Sequence, residues 1–395
     1  MLGELARRMK LPREVVALGV VSFLSDISSD MIMPFLPAFV ATLSGGGALA
    51  LGLIEGLADM LSSLLKLVSG AWADRITRYR PFVFAGYTLS LASKPFVALA
   101  GSVGDVVLVR CLDRTGKGVR TSPRDAMLAA AVEEGQRGSA FGFHRAMDHA
   151  GAVLGPLLAL LLLLWFTDDL RTMFWLSAIP GLLAIVFLFV AVKEQPRSAA
   201  PAKRWTLRRP DGALLRLIGP LALFTLGNAS DLFLLLFASQ LLDSLYWMPI
   251  LWLGLHVMRM LSSLLGGRWT DRHGPVRVIV TGWLWYAGIY ALMAFADTPL
   301  LVIPLVLLYG VSHGLSEAAE KAWVAGMAPA DQAGTWFGWF HLTVGLFTLP
   351  ASLLFGALWD AHGSRTAFLT GAALGLAAVA LLLACTPRRR DRLRA

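Results

Sequence analysis

The residues able to do chemistry concentrate in one stretch, Arg110 to Pro156, which reads RCLDRTGKGVRTSPRDAMLAAAVEEGQRGSAFGFHRAMDHAGAVLGP. Apolar runs flank it, yet it holds Arg110, Asp113, Arg114, Lys117, Arg120, Arg124, Asp125, Arg145, Asp148 and His149. If the flanks cross a bilayer, several of these groups lie inside it. An ionisable group at that depth is costly, and it marks a translocation path or a gate. The stretch ends in Gly151-Ala-Val-Leu-Gly155-Pro156. Two small residues four apart let helices touch closely, and the proline lets the helix bend.

Carboxylates recur in the apolar runs before it. Asp26 and Asp30 are four apart and share a helical face, as do Glu55 and Asp59, with Lys66 two turns further along the same stripe. A carboxylate held away from water can load and release a proton, so Asp30 is the first candidate for proton coupling, then Asp59, with Asp26 and Glu55 beside them. The competing reading is a static ion pair, Asp59 with Lys66 or Asp30 with Arg110. Arg110 and Arg114, with Asp113, are candidates for a substrate cavity that would suit a carboxylate or phosphate ester. The alternative is a hinge whose cations are neutralised by Asp113, Asp125 and Asp148. Further along, Asp231, His256, Arg259, His313 and Glu317 are candidate cavity residues, with Glu320 and Lys321 as further polar intrusions.

His313 and Glu317 are spaced to shuttle a proton or hold a metal, and His256 with Met260 to hold soft copper. The first apolar run of the second half lacks a matching methionine pair, so no bound metal is expected. Gly116-Lys117-Gly118 lacks the spacing of a phosphate-binding loop, and there is no nucleophile elbow and no HExxH, so the chain is not read as an enzyme.

The elements that position these groups are apolar spans. The chain has 395 residues, 56% hydrophobic and only 15% charged, against about 25% in a soluble domain. Its two cysteines, Cys111 and Cys385, sit in apolar runs and provide no disulfide framework. Twelve candidate spans are read at roughly 14–40, 47–73, 81–100, 103–124, 137–165, 169–192, 214–240, 245–270, 275–296, 299–325, 333–358 and 365–386. Most tryptophans, including Trp247, Trp252, Trp283, Trp285, Trp336 and Trp339, are read as interface belts and lipid-facing bulk. The predicted fold is all-α and polytopic, in two bundles of six. Residues 1–192 form the first, 193–213 a polar linker, and 214–395 the second with a basic tail. Net charge is +9, with the basic residues clustered before the first span, in the linker and in the tail, while residues 41–50, 240–247 and 296–300 contain none. The positive-inside rule then places both termini and the linker in the cytoplasm. No nucleic-acid partner is expected.

The halves repeat. Arg171-Thr-Met-Phe174 returns as Arg365-Thr-Ala-Phe368, Gly138-Ser-Ala-Phe141-Gly142 as Gly334-Thr-Trp-Phe337-Gly338, and Gly70-Ala-Trp-Ala-Asp74-Arg75 as Gly267-Arg-Trp-Thr-Asp271-Arg272. Ser29-Asp30 corresponds to Ser230-Asp231, and the four offsets run only from 194 to 201. A parallel duplication places a substrate site between the halves near the midplane.

Two six-span halves, a basic central linker and a Gly-xxx-Asp-Arg loop after spans 2 and 8 resemble the major facilitator superfamily over essentially the whole chain. The resemblance implies a secondary transporter that rocks one half against the other. It makes Gly70, Asp74, Arg75 and Arg78, with Gly267, Asp271 and Arg272, gate residues, the carboxylates facing helix amino-termini. The family has glycine where Thr77 stands, so that turn is expected to be altered. Gly151, Gly155 and Pro156 resemble the antiporter motif, although Leu157 and Leu158 replace the usual glycines. Arg110 resembles the span-4 arginine linked to proton coupling. The implied activity is proton-coupled efflux of a small organic compound by alternating access. The alternatives are proton-coupled uptake of an anionic metabolite, or a membrane sensor derived from a transporter. The implied partners are a small-molecule substrate, protons and the lipid of a bacterial inner membrane. No cofactor is implied, the proton gradient being the drive, and the carrier is expected to act as a monomer.

Overall fold

The computed structural model describes residues 11–43, 48–167, 169–192, 212–242 and 247–386. The amino-terminal arginines, the central linker from 193 to 211, the loops at 44–47 and 243–246 and the basic tail lie outside the described residues, as do the side chains of Glu55 and Trp247. Twelve helical spans follow in order. They are α1 (Arg13–Asp30), α2 (Ala48–Ile76), α3 (Arg80–Ser93), α4 (Val103–Ala130), α5 (Arg137–Trp165), α6 (Leu170–Leu176 and Ala178–Ala191), α7 (Gly212–Gly227 and Leu232–Leu241), α8 (Trp247–His273), α9 (Pro275–Met293), α10 (Pro299–Met327), α11 (Ala333–His362) and α12 (Ser364–Cys385).

Among the described residues, nine of the spans are long and apolar enough by themselves to cross a membrane. The other three are α2, α4 and α7. α4 carries Arg110, Asp113, Arg114, Lys117, Arg120, Arg124 and Asp125, α7 is interrupted after Gly227, and the side chains of residues 51–57 of α2 lie outside the described residues. α2 and α4 each keep an apolar outer face, Leu64 and Val68 on one and Leu108 and Leu112 on the other, and turn their charges inward, which is how charged helices survive in a membrane.

The first helix of each half breaks at its acid. α1 ends at Asp30 and passes through a 3₁₀ turn, Met33–Phe35, into a short helix, Leu36–Ala41, with Pro34 and Pro37 at the joints. α7 stops before Asn228 and resumes after Asp231. The duplication therefore holds at the backbone level.

Within the first half, α4 packs on α2 and α3, and α1 on α5 and α6. Within the second, α10 packs on α8 and α9, and α12 on α7 and α9. The halves meet chiefly along α5 with α8 and α2 with α11. Glycines make these contacts close. A Cβ on Gly334 would stand 2.6 Å from the Gly70 carbonyl oxygen, and one on Gly267 would strike the Gly138 carbonyl.

The repeated Arg-Thr-x-Phe sequence is structural. Arg171 donates to the carbonyls of Ala98 and Ala100, and its guanidinium lies 5.0 Å from the Phe39 ring centroid. In the second copy Arg365 lies 4.4 Å over Phe295. Asp169 caps the helix carrying Arg171. Bonds from the Thr172 hydroxyl and from the Thr172 and Arg171 N–H groups hold its carboxyl below the usual range.

Two tryptophans correct the belt expectation. Trp283 is fully buried, stacked on Phe224 at 4.5 Å, and Trp336 is buried. Trp283 is kept inside because its indole N–H finds an acceptor there, the Glu320 carboxylate at 2.9 Å. Trp285, by contrast, is exposed.

Candidate functional site: a charged interior closed at one end

The two loop motifs close the molecule at the end that carries the α2–α3 and α8–α9 loops. Asp74 accepts from the backbone N–H groups of Gly334 (2.9 Å) and Thr335 (2.6 Å), from the Thr335 hydroxyl (2.8 Å) and from Tyr79 (2.8 Å). Asp271 accepts from the N–H groups of Gly138 (2.7 Å) and Ser139 (2.8 Å). Each carboxylate thus seats on the amino-terminus of a helix in the opposite half, α11 or α5, where unsatisfied N–H groups and the helix dipole favour an anion. The two repeated motifs grip one another crosswise. Arg75, Arg78 and Arg272 take no part: they are exposed and make no ion pair among the described residues. The turn after Asp74 departs from its expected alteration. Thr77 itself adopts the left-handed conformation, φ 56°, and Gly274 in the second loop has φ 84°.

Above the latches lies an ionic floor. Asp125, fully buried on α4, accepts from Arg124 (2.9 Å), from Lys321 of α10 (3.1 Å) and from His341 of α11 (2.8 Å). Arg145 of α5 pairs with Asp148 (3.0 Å) and reaches across to Glu317 of α10. His144 approaches Asp148 at 3.5 Å. His149 and His256 bring their Nδ1 atoms within 3.2 Å of each other, again between halves. These facts correct two expectations. Glu317 turns to Arg145 rather than to His313, and His256 faces His149 rather than Met260. In both cases a partner on a packed helix supplies better geometry than a neighbour four residues along.

The first-half wall also reassigns its ion pairs. Leu108 and Leu112 are exposed on the outer face of α4, which turns Arg110, Arg114, Lys117, Thr121 and Arg124 inward. Arg110 pairs with Asp113 (3.0 Å), not with Asp30, and Lys94 of α3 approaches the same carboxylate at 3.8 Å. Asp59 pairs with Arg114 (3.1 Å), not with Lys66. Arg120 lies 3.7 Å over the Tyr87 ring and donates to Ser25. Asp26 and Asp30 differ from all of these. They pack against the glycine step of α5, where a Cβ on Gly151 would lie 2.9 Å from the Asp26 Cβ and one on Gly155 3.0 Å from the Asp30 Cβ. Neither makes an ion pair or hydrogen bond among the described residues. α5 runs through Pro156 as one helix.

In the second half, Asp231 binds Arg259 (2.9 Å) and the Tyr309 hydroxyl (2.9 Å), which also reaches Asn228 (3.1 Å). His313 contacts Asn228 at 3.3 Å. Lys94, His144, Tyr309, Asn228 and His341 are the participants that sequence reasoning missed. A single lysine or histidine inside an apolar run was the available signal for Lys94 and His341.

The geometry can be set beside known proteins. The sequence model of the Major Facilitator Superfamily matches residues 18–259 and again 253–395. An uncharacterised MFS-type transporter of Methanocaldococcus jannaschii is 33% identical over 381 residues, 95% of each chain. A multidrug resistance protein of Serratia proteamaculans is 25% identical over 94% of this chain and 93% of its own. Among solved structures, a human organic anion transporter superposes with a TM-score of 0.81 at 17% identity, covering 94% of this chain and 99% of that one.

Proposed function

The chain belongs to the major facilitator superfamily, and from that premise we propose that it is a proton-coupled exporter of a small organic compound. The observation that carries the reading is the state of Asp26 and Asp30. Asp59, Asp113, Asp125, Asp148, Asp231 and Glu317 each hold a cationic partner, and Glu320 holds an indole N–H. Asp26 and Asp30 alone among the described interior carboxylates have none. An unpaired carboxylate in such a place is stable when protonated and must find charge compensation when not, so its proton can follow the conformational cycle. Their seat on Gly151 and Gly155 ties them to the contact between α1 and α5, and α5 lies on the boundary between halves.

In this reading both termini face the cytoplasm of a bacterial cell and the protein lies in its inner membrane. The clasped loop end is then the cytoplasmic gate, shut. Protonation of Asp30, with Asp26, weighs against substrate release and reopening. The halves rock about the α2–α11 and α5–α8 contacts, both latches breaking when the loop end opens. A single chain holds both halves and suffices as the working unit. The export direction is supported by the multidrug resistance relative. The test is Asp30→Asn in proteoliposomes under an imposed pH gradient. Gradient-driven movement is expected to stop while heat stability stays near the parent's. Undiminished gradient-driven movement refutes the coupling role.

A further inference from the structure

The interior cations are not all spent on neutralising carboxylates. Arg110, Arg114, Arg124, Arg145, Arg259 and Lys321 each have a carboxylate within 4 Å. Lys94 lies 3.8 Å from Asp113, and Arg120 is stacked on Tyr87. Lys66 and Lys117 are left, and neither makes an ion pair or side-chain hydrogen bond among the described residues.

Both point inward. On α2, Leu64 and Val68 are exposed on the outer face, while Ser69 bonds the Gly118 carbonyl of α4 (3.1 Å) and Leu67 packs on Gly338 of α11. Lys66 lies between those two contact directions, on the same stripe as Asp59. Lys117 shares the inward stripe of α4 with Arg110 and Arg124, opposite the outward Leu108 and Leu112, and it is exposed. The lysines are neighbours. A Cβ on Gly118 would stand 2.7 Å from the Leu65 Cβ, which puts residues 117 and 66 at one level of packed helices.

Two like charges at one level of a membrane interior repel, and neither has a carboxylate within 4 Å among the described residues. Such an arrangement is retained where a ligand supplies the missing charge. We infer that Lys66 and Lys117 form the anchor of the substrate site, and that the substrate is an organic anion whose carboxylate or phosphate-type group sits between the two ammoniums. The inference rests on the reading of this chain as a carrier with a central cavity and adds the charge class of what it carries. The nearby Arg114 completes the basic wall, already balanced by Asp59.

The test uses the full chain in detergent, with inorganic phosphate and acetate as minimal probes against chloride at equal ionic strength, and acetamide as the neutral control. Phosphate or acetate is expected to raise the midpoint of thermal unfolding by about 2 °C at ten times its dissociation constant, because a ligand of the folded state stabilises by mass action. K66Q and K117Q should each abolish that rise, and each should unfold at a higher temperature than the parent in chloride, since one of two repelling charges is gone. K117R should keep the rise. A rise undiminished in K66Q/K117Q, or single variants that are no more stable than the parent in chloride, overturns the assignment. Asp30→Asn should retain the phosphate response, so a failed proton-coupling role and a failed anion site give different results.

Discussion

The latch at Asp74 gives the sharpest quantitative test. Three of its bonds, from Gly334 N–H, Thr335 N–H and the Thr335 hydroxyl, cross to the other half and exist only while the loop end is closed. Hydrogen bonds to a charged acceptor contribute about 1.5–3 kcal/mol each, and an anion at a helix amino-terminus about 0.3–2 kcal/mol. Asp74→Asn removes the charge but keeps one acceptor oxygen. The net loss from the closed state is therefore about 2–4 kcal/mol, which lowers the closed-to-open ratio about 30- to 1000-fold at 1.4 kcal/mol per factor of ten. Asp271 makes two crossing bonds, so Asp271→Asn should shift the ratio less. Spin labels at cysteines replacing Arg78 and Ala330, with Cys111 and Cys385 changed to serine, report the separation of the halves by pulsed electron resonance. Both variants should populate longer distances, Asp74→Asn the more. An unchanged distribution in Asp74→Asn, or a larger effect from Asp271→Asn, refutes the reasoning.

Three further outcomes follow from the packing. Gly155→Leu inserts a side chain where a Cβ already stands 2.8 Å from the Ile27 carbonyl oxygen; transport should fall at least about tenfold, with Gly155→Ala intermediate, and normal initial rates would contradict the close contact. Thr77→Gly relieves a β-branched residue at φ 56° and should stabilise the protein by about 1 kcal/mol, read as a higher unfolding midpoint. Arg259→Met leaves the Asp231 carboxylate without its cation and should cost about 3–5 kcal/mol, whereas Arg259→Met with Asp231→Asn should recover most of it in the same melt.

The division between what was legible and what was not follows the range of the forces involved. Periodicity, apolar length and internal repetition act along the chain, and they were enough to place twelve spans, the two halves and the matched positions Asp74 with Asp271 and Asp30 with Asp231. They also singled out Gly151 and Gly155, because a small-residue step reads the same on any helix. Partner choice acts in space, sometimes within one helix, as in Arg110–Asp113 and Arg145–Asp148, and often between helices. Same-helix spacing offered Asp59–Lys66, His313–Glu317 and His256–Met260, and in every case the side chain turned to a neighbouring helix instead, as in Asp59–Arg114, Glu317–Arg145 and His256–His149. His341 and Lys94 had no periodic signature at all, being single polar residues in apolar runs. By itself the sequence determined that charge would be buried in the membrane and on which helices. Only the tertiary structure decided which charges are neutralised and which are left over, because an ion in a low-dielectric interior takes the nearest counter-charge in space, and space is set by helix packing.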